Sequence, residues 1–314
     1  MAETFANKLA GITGDLLDFG CGKSLVMKHY LAINDKANIH LFDVSADYVD
    51  FWRAFLPEQR YACFSAPDTW HGKFKVITSF FSMEHVADPV SELRKMRALL
   101  SPEGLLYICV PDMYSENAAD MLVVDHVQHY STLSMSFLLA RAGFRIVEVD
   151  RAAHRQAAIY VACQSDGVLQ SQLDAEEVSR IVSDCDGISA YWKAVTESLR
   201  QFELEAGRRN VERYYIVGAG ILGTFFYLEL NDPGKVVGFI DSNRFKQEKG
   251  WQNLPVIGPG RPVGGGPACF ILGLNAWQLA SVVATVLPPD ARPENVWTVN
   301  SLGGAVPESR GPDV

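Results

Sequence analysis

Residues 125–130 of this chain, Asp-His-Val-Gln-His-Tyr, pack an acid, two imidazoles and a phenol into one short stretch. Histidine is the side chain whose unperturbed pKa lies nearest neutrality, and an adjacent carboxylate raises its basicity. Asp125, His126 and His129 are therefore candidates for taking a proton from an acceptor. Glu84-His85 and Asp112-Met113-Tyr114 are two further clusters of this kind. His85 reads equally well as a cap or buttress of its helix, and His126 or His129 alone as a satisfied structural histidine. His29, His40, His71 and His154 are scattered and carry no expectation.

A second chemistry is binding at a glycine turn. The run LLDFGCGKS (16–24) ends in Gly20 and Gly22, and Asp43 closes the next apolar run about twenty residues on, the length of one strand–helix unit. Glycines let the backbone approach a ligand closely, and a carboxylate at a strand end can accept both hydroxyls of an adenosine ribose. Either NAD or S-adenosylmethionine can use this geometry. Lys23 and Ser24 stand where a G-x-G-x-x-G loop would continue to its third glycine. A pyrophosphate needs that closer approach and an aminoacyl tail does not. Asp18, just before the turn, repels a pyrophosphate but can help hold a methionine ammonium through backbone or water. The balance favours the sulfonium cofactor over a glycine turn of some other α/β protein. The Phe80 or Phe81 ring can lie beside a methylsulfonium cation; core packing accounts for both equally well.

A complete G-x-G-x-x-G follows at Gly218, Gly220 and Gly223, and Asp241 ends the next apolar run. Read alone it is a dinucleotide fingerprint. The roughly one hundred residues available suffice for one mononucleotide half, and no His/Tyr/Lys set for hydride transfer follows. A nucleotide handle, such as the nucleoside diphosphate of an activated sugar, fits better, with Gly218, Gly220, Gly223 and Asp241 as its contacts. The alternatives are a glycine turn that serves only helix–strand packing, an NAD(P)-linked oxidoreductase, and a non-catalytic nucleotide-binding protein.

These residues need elements to position them. LLDF (16–19), IHLFD (39–43), FKVITSF (74–80) and LLYICVP (105–111) are short β-rich runs. Between them lie amphipathic stretches such as SLVMKHYLA (24–32) and VSELRKMRALL (90–100), with SPEG (101–104) as a turn. Strands alternating with helices predict an α/β fold whose parallel sheet is covered on both faces. STLSMSFLLARAGF (131–144) predicts a helix ended by Gly143, leading into strands FRIVEVD and AAIYVAC. From about Val168 to Ala206 the pattern is one long mixed-charge helical region, containing LDAEEVSRIVSDC and YWKAVTESLRQFELEA and read as a connector. A smaller α/β unit of three to four strands follows: YYIV, KVVGFID, ACFILGL and NVWTVN, with a helix near 276–287 and a frayed tail after Gly303.

Residues 15–165 resemble the class I S-adenosylmethionine-dependent methyltransferase family, with Asp18-Phe19-Gly20-Cys21-Gly22 as its first motif and Asp43 as its ribose-binding acid. ITSFFSMEHVADPVSELRKMRALLSPEGLLYICVPD (77–112) resembles that family's next region, where a strand end contacts cofactor. The resemblance implies cofactor contacts at Asp18, Gly20, Cys21, Gly22, Asp43, Val44, Ser79 and Phe80. DHVQHYSTLSMSFLLARAGF (125–144) resembles the segment that closes over substrate. Ser24 replaces the family's third loop glycine, and Phe81 an acid often found there. The pairing with a second glycine loop also resembles nucleotide-sugar C-methyltransferases, in which an acid–histidine pair supplies the base; Asp125-His126 matches its order. The cysteine-rich zinc domain that usually begins that family is not among these residues. The organisation implied is a Rossmann-like methyltransferase domain (1–166), a helical connector (167–209) and a smaller Rossmann-like nucleotide-binding-type domain (210–314). The implied acceptor is a nucleotide-linked sugar, methylated at carbon or oxygen, and a homodimer is left open.

Composition narrows the rest. Hydrophobic residues make up 48% and charged residues 21%, ordinary for a globular protein. With a net charge of −9 and no Lys/Arg cluster, nucleic acid is not an expected partner, since its affinity comes from neutralising phosphates. The six cysteines are scattered, so neither short-spaced zinc loops nor a disulfide framework is expected. No run approaches the ~20 apolar residues of a membrane helix, and the N-terminus lacks a basic patch followed by an apolar run. The expectation is a cytoplasmic, reduced protein with no metal.

Overall fold

The structure, a computed structural model, describes residues 2–8, 13–113, 119–154, 156–165, 175–261, 263–274, 279, 283, 285–289 and 291–299. It divides into two units, Met1–Ser115 with Val124–Ser179, and Glu116–Val123 with Arg180–Val314.

In the first unit the elements run α1 (Ala2–Lys8), β1 (Asp15–Phe19), α2 (Leu25–Ile33), β2 (Asn38–Asp43), α3 (Val49–Arg53), β3 (Tyr61–Cys63), β4 (Phe74–Phe80), α4 (Pro89–Leu99), β5 (Leu100–Pro111), α5 (Thr132–Arg141), β6 (Phe144–Asp150) and β7 (Ala157–Gln164). They form one sheet in the order β3-β2-β1-β4-β5-β7-β6. The first five strands are parallel, and β7 runs antiparallel to both β5 and β6. The sheet is thus predominantly parallel, as the alternation of strands and helices leads one to expect, and the direction of β7 is not legible because periodicity reports burial and carries no sign for direction.

Alternation along the strands splits the core into two layers. Leu17, Phe19, Ile77, Leu106 and Ile108 pack on one face with Leu93, Met96 and Leu99 of α4 and Met135, Leu138 and Leu139 of α5. Leu16, Leu41, Val76 and Tyr107 pack on the other with Phe5 of α1, Met27 and Tyr30 of α2 and Trp52 of α3. Both faces are covered, which is why the strands read as continuous apolar runs. Phe5 fixes α1 by edge contacts to Tyr30, Phe80 and Tyr107, and Lys8 pairs with Glu148 and Asp150. Asp88 caps α4 by accepting from the Ser91 amide at 3.1 Å, with Pro89 in its first turn. Ser131 and Ser134 form a reciprocal capping box on α5.

Ser101–Gly104, expected as a turn, belong to β5. Leu100 pairs with Phe74 and Leu105 with Val76, so the extra residues form a bulge. A Cβ at Gly104 would lie 2.9 Å from the Phe74 carbonyl, so the bulge admits no side chain there. β3 is a further strand beyond the four apolar runs of this region; it is a three-residue edge with no fully buried position.

The second unit holds α6 (Ala175–Arg208) from Arg180 onward, β8 (Tyr214–Val217), α7 (Ile221–Glu229), β9 (Val236–Ile240), α8 (Arg244–Lys249), β10 (Val256–Ile257), β11 (Cys269–Leu272) and β12 (Val296–Thr298). Among the described residues its five strands are all parallel, in the order β10-β9-β8-β11-β12. The fifth strand is the two-residue β10. The stretch expected as a connector belongs to this unit from Arg180 onward. Trp192, Val195, Leu199, Phe202 and Ala206 of α6 are buried at helical spacing. Glu203, also buried, accepts from the Asn231 and Asp232 amides at 2.8 and 3.2 Å. The helix expected near 276–287 falls mostly, and the tail after Gly303 wholly, outside the described residues. Among the described residues no helix is long and apolar enough to cross a membrane.

Candidate functional site

β1 ends where the backbone must turn sharply. Gly20 and Gly22 both take positive φ, 69° and 49°, a region that penalises side chains. The Gly20 and Cys21 amides donate to the Phe42 carbonyl at 2.9 and 3.1 Å, folding the loop onto the end of β2. Asp43 completes the turn: one carboxylate oxygen accepts the Gly22 amide at 2.8 Å and the other the Ser45 amide at 3.0 Å. Trp52 Nε1 donates to the Gly22 carbonyl at 2.7 Å. A Cβ on Gly20 would lie 2.0 Å from Ser82 Oγ, whereas one on Gly22 would meet only the Tyr48 ring, at 4.0 Å. One glycine is needed for packing and the other leaves an open side.

Two large apolar side chains flank this acid in the open. Val44 is 68% exposed and Phe64 72%; the Phe64 amide donates to the Asp43 carbonyl at 2.9 Å. Phe64 also holds a positive φ of 67°. Val44 stands out in the sequence by its place after Asp43. Phe64 does not, because the strand before it carries no periodic signal.

Asp18 lies beneath the loop, only 2% exposed. It accepts from Ser24 Oγ at 2.7 Å and Thr78 Oγ1 at 2.9 Å. Burial pushes its carboxyl up to about 6, against the pull of those two hydrogen bonds and with a smaller push from Asp43. Ser24 is left-handed, φ 50°, at the N-cap of α2. The position expected to carry a third loop glycine thus keeps a glycine-like backbone, and the bond to Asp18 holds it there. Cys21 is half-buried, and burial pushes its thiol well up, so it stays neutral. Ser79 is buried in β4, and Phe80 packs its ring on Phe5 and Tyr107. Phe81, with φ 51°, is the more exposed of the two phenylalanines, its ring 5.4 Å from that of His154.

The turn Met83–His85 follows at once, and the 125–130 loop is laced to it. The Val127 and Gln128 amides both donate to the Glu84 carbonyl, at 2.9 and 3.0 Å, and the Tyr130 hydroxyl to the Met83 carbonyl at 3.0 Å. His85 Nδ1 donates to the Asp125 carbonyl at 2.9 Å, with the Asp125 carboxylate 3.6 Å away. The His85 and His126 rings meet edge-on at 5.0 Å. An oxygen of buried Glu84 and one nitrogen each of His85 and His126 all lie within 4.8 Å of one another. Two clusters forty residues apart in sequence are therefore one. The Asp125 carboxylate faces His85, and His129 is half-buried nearby in sequence. Asp112 pairs with Arg151 at 3.1 Å, and Tyr114 lies outside the described residues.

The second glycine turn repeats the first. Asp241 accepts the Ala219 amide at 2.8 Å and the Asn243 amide at 2.8 Å. A Cβ on Gly218 would lie 2.7 Å from the Gly273 carbonyl, and one on Gly223 1.9 Å from the Gly218 carbonyl. Those two glycines serve packing, while Gly220 has nothing within 4 Å of its Cβ position. Lys246 bonds the Ala219 carbonyl, lies 3.9 Å from the Asp241 carboxylate and covers the Trp251 ring at 4.7 Å.

Residues 4–149 match the family model described as a methyltransferase domain. The match covers less than half of the chain and supports an enzyme, a methyltransferase, with S-adenosylmethionine as its cofactor. No curated protein matches the chain. The solved structures similar to it include the following three. The 1,6-didemethyltoxoflavin-N1-methyltransferase of Burkholderia thailandensis, bound to 1,6-didemethyltoxoflavin and S-adenosylhomocysteine, is 16% identical over 52% of this chain and 77% of its own, with a TM-score of 0.40. A SAM dependent methyltransferase from Aquifex aeolicus is 16% identical over 51% and 88%, TM-score 0.40. The mitomycin 7-O-methyltransferase MmcR is 14% identical over 52% and 54%, TM-score 0.43.

Proposed function

We propose that this protein transfers a methyl group from S-adenosylmethionine to a nucleotide-linked sugar, at carbon or oxygen, in a cytoplasmic setting. The observation that carries the reading is the Asp43–Gly22 contact, with Val44 and Phe64 exposed beside it. The donor fits these residues. The Asp43 carboxylate oxygens keep further lone pairs for two ribose hydroxyls, Val44 and Phe64 offer apolar walls to a flat base, and the open side of Gly22 admits the aminoacyl tail.

S-adenosylmethionine supplies an electrophilic methyl on a sulfonium, displaced in line. The chain's own work is positioning and proton removal. Asp18 sets a buried carboxyl under the loop, where an ammonium favours its ionised form. Phe81 is the aromatic face for the sulfonium. His126 or His129 takes the acceptor's proton, with Asp125 and His85 orienting the cluster.

In this reading residues 1–166 are the methyltransferase domain and 210–314 a Rossmann-like nucleotide-binding domain, where Gly220 gives a phosphate close approach and Lys246 a nearby cation. The test is turnover to S-adenosylhomocysteine, read by mass spectrometry over a panel of nucleotide sugars. Methylation of a panel member with S-adenosylmethionine bound supports it, and His126→Ala should then spare donor binding and depress turnover. A melting shift with NADH and none with S-adenosylmethionine would replace it with an NAD(P)-linked oxidoreductase, and nucleotide binding without turnover with a non-catalytic binder.

A further inference from the structure

We propose that Glu84, His85 and His126 form a site for a divalent first-row transition cation beside the cofactor loop. Their ligand atoms lie within 4.8 Å of one another. Three ligands about 2.1 Å from one ion lie about 3–3.6 Å apart, so the three side chains draw together on the ion by up to about 1–2 Å. Two imidazoles and one carboxylate suit manganese, iron, cobalt or zinc, and leave further positions open.

Three independent features prepare the site. The Asp125 carbonyl can only accept, so the 2.9 Å contact places the proton of His85 on Nδ1 and its lone pair on Nε2. A backbone carbonyl on the far nitrogen is the usual support of a metal-bound histidine, fixing tautomer and ring plane. Glu84 is 1% exposed, so its carboxylate meets an ion out of competition with bulk water. The two backbone segments are also joined before any ion arrives, since the Glu84 carbonyl takes both the Val127 and Gln128 amides. That clamp fixes the loop carrying His126 to the turn carrying Glu84 and His85.

The position gives the cation a task. Ser82, two residues before Glu84, packs directly on Gly20 of the cofactor loop. The His85 side chain is 40% exposed, so one side of the site is open to an incoming ligand. An acceptor hydroxyl oxygen bound there becomes more acidic. Its proton leaves to His129 or solvent, the oxygen–methyl bond forms as the carbon–sulfur bond breaks, and S-adenosylhomocysteine departs. This role rests on the methyl-transfer reading and selects oxygen as the acceptor atom; the site itself rests on the ligand geometry alone. With His126 committed to the ion, His129 remains as the base.

The test uses the full chain, stripped with chelator, dialysed against Co²⁺ and read by bound metal per chain and by visible absorption. One Co²⁺ per chain is expected, with at least tenfold weaker binding in His85→Ala and in His126→Ala, and wild-type binding in the surface variant His71→Ala. Circular dichroism confirms that each variant is folded. No stoichiometric Co²⁺ in the wild type, equal retention in the His85→Ala/His126→Ala double variant, or equal loss in His71→Ala would overturn the site. Calorimetry with S-adenosylmethionine on the same samples separates the two proposals: Co²⁺ bound without any donor binding keeps the site and removes the methyl-transfer role.

Discussion

The carboxylate of Asp43 accepts the backbone amide of Gly22 at 2.8 Å, joining the end of β2 to the turn that follows β1. The same relationship recurs in the second unit between Asp241 and the Ala219 amide, also at 2.8 Å. An acid in this position sets the turn, and in the proposed function its remaining lone pairs hold the ribose hydroxyls. Replacing it removes both functions.

Asp43→Ala leaves the Gly22 and Ser45 amides without their acceptor. Each such loss costs on the order of 1–3 kcal/mol, so S-adenosylmethionine affinity is expected to fall at least tenfold by calorimetry. Unchanged affinity would mean the acid serves only the turn.

Asp18 gives a pH signature. Its carboxyl titrates at about 6 in the fold, against an ordinary 3.8. The folded state therefore binds more protons between those values, and stability falls as pH rises through that window, then levels above about 6. At about 1.4 kcal/mol per pKa unit the loss is on the order of 3 kcal/mol. Denaturant melts at pH 4.5 and 7.5 should show a smaller difference in Asp18→Asn than in the wild type. Equal differences would contradict this.

Donor affinity should move the other way. The cationic ligand favours the ionised Asp18, so affinity is expected to rise as pH passes through about 6 in the wild type and to stay flat in Asp18→Asn. The measurement is a calorimetric titration at several pH values.

The glycines separate by their surroundings. Gly223→Ala drives a Cβ to 1.9 Å from the Gly218 carbonyl and is expected to cost several kcal/mol of stability, in the range of core overpacking. Gly220→Ala meets open space and should leave melting within a degree or two while weakening nucleotide binding. Equal melting of the two variants would remove the distinction.

Phe64→Ala trims an exposed ring from the proposed base wall. Stacking contributes about 1–2 kcal/mol, so donor affinity should drop roughly five- to thirtyfold with the unliganded melting temperature nearly unchanged. A variant with full affinity would place the base elsewhere.

The glycine turn and its acid are legible in the sequence because a strand, a turn and a second strand end leave a fixed spacing that chemistry reuses. Phe64 is not: the three residues of β3 carry no alternation, so no pattern marks the exposed ring beyond them. Ser101–Gly104 have turn chemistry, yet the ladder to β4 continues on both sides of them and makes them a bulge. The joining of Glu84-His85 with Asp125-His126 is invisible for another reason. It is made by backbone bonds to the Glu84 carbonyl, which depend on loop path and leave no mark in residue type.

Calorimetric titration of the wild-type chain with S-adenosylmethionine, with NADH as the comparison, tests the central claim most directly. Saturable binding of one S-adenosylmethionine per chain, with no heat from NADH, is the expected result. Binding of NADH with no response to S-adenosylmethionine would contradict it.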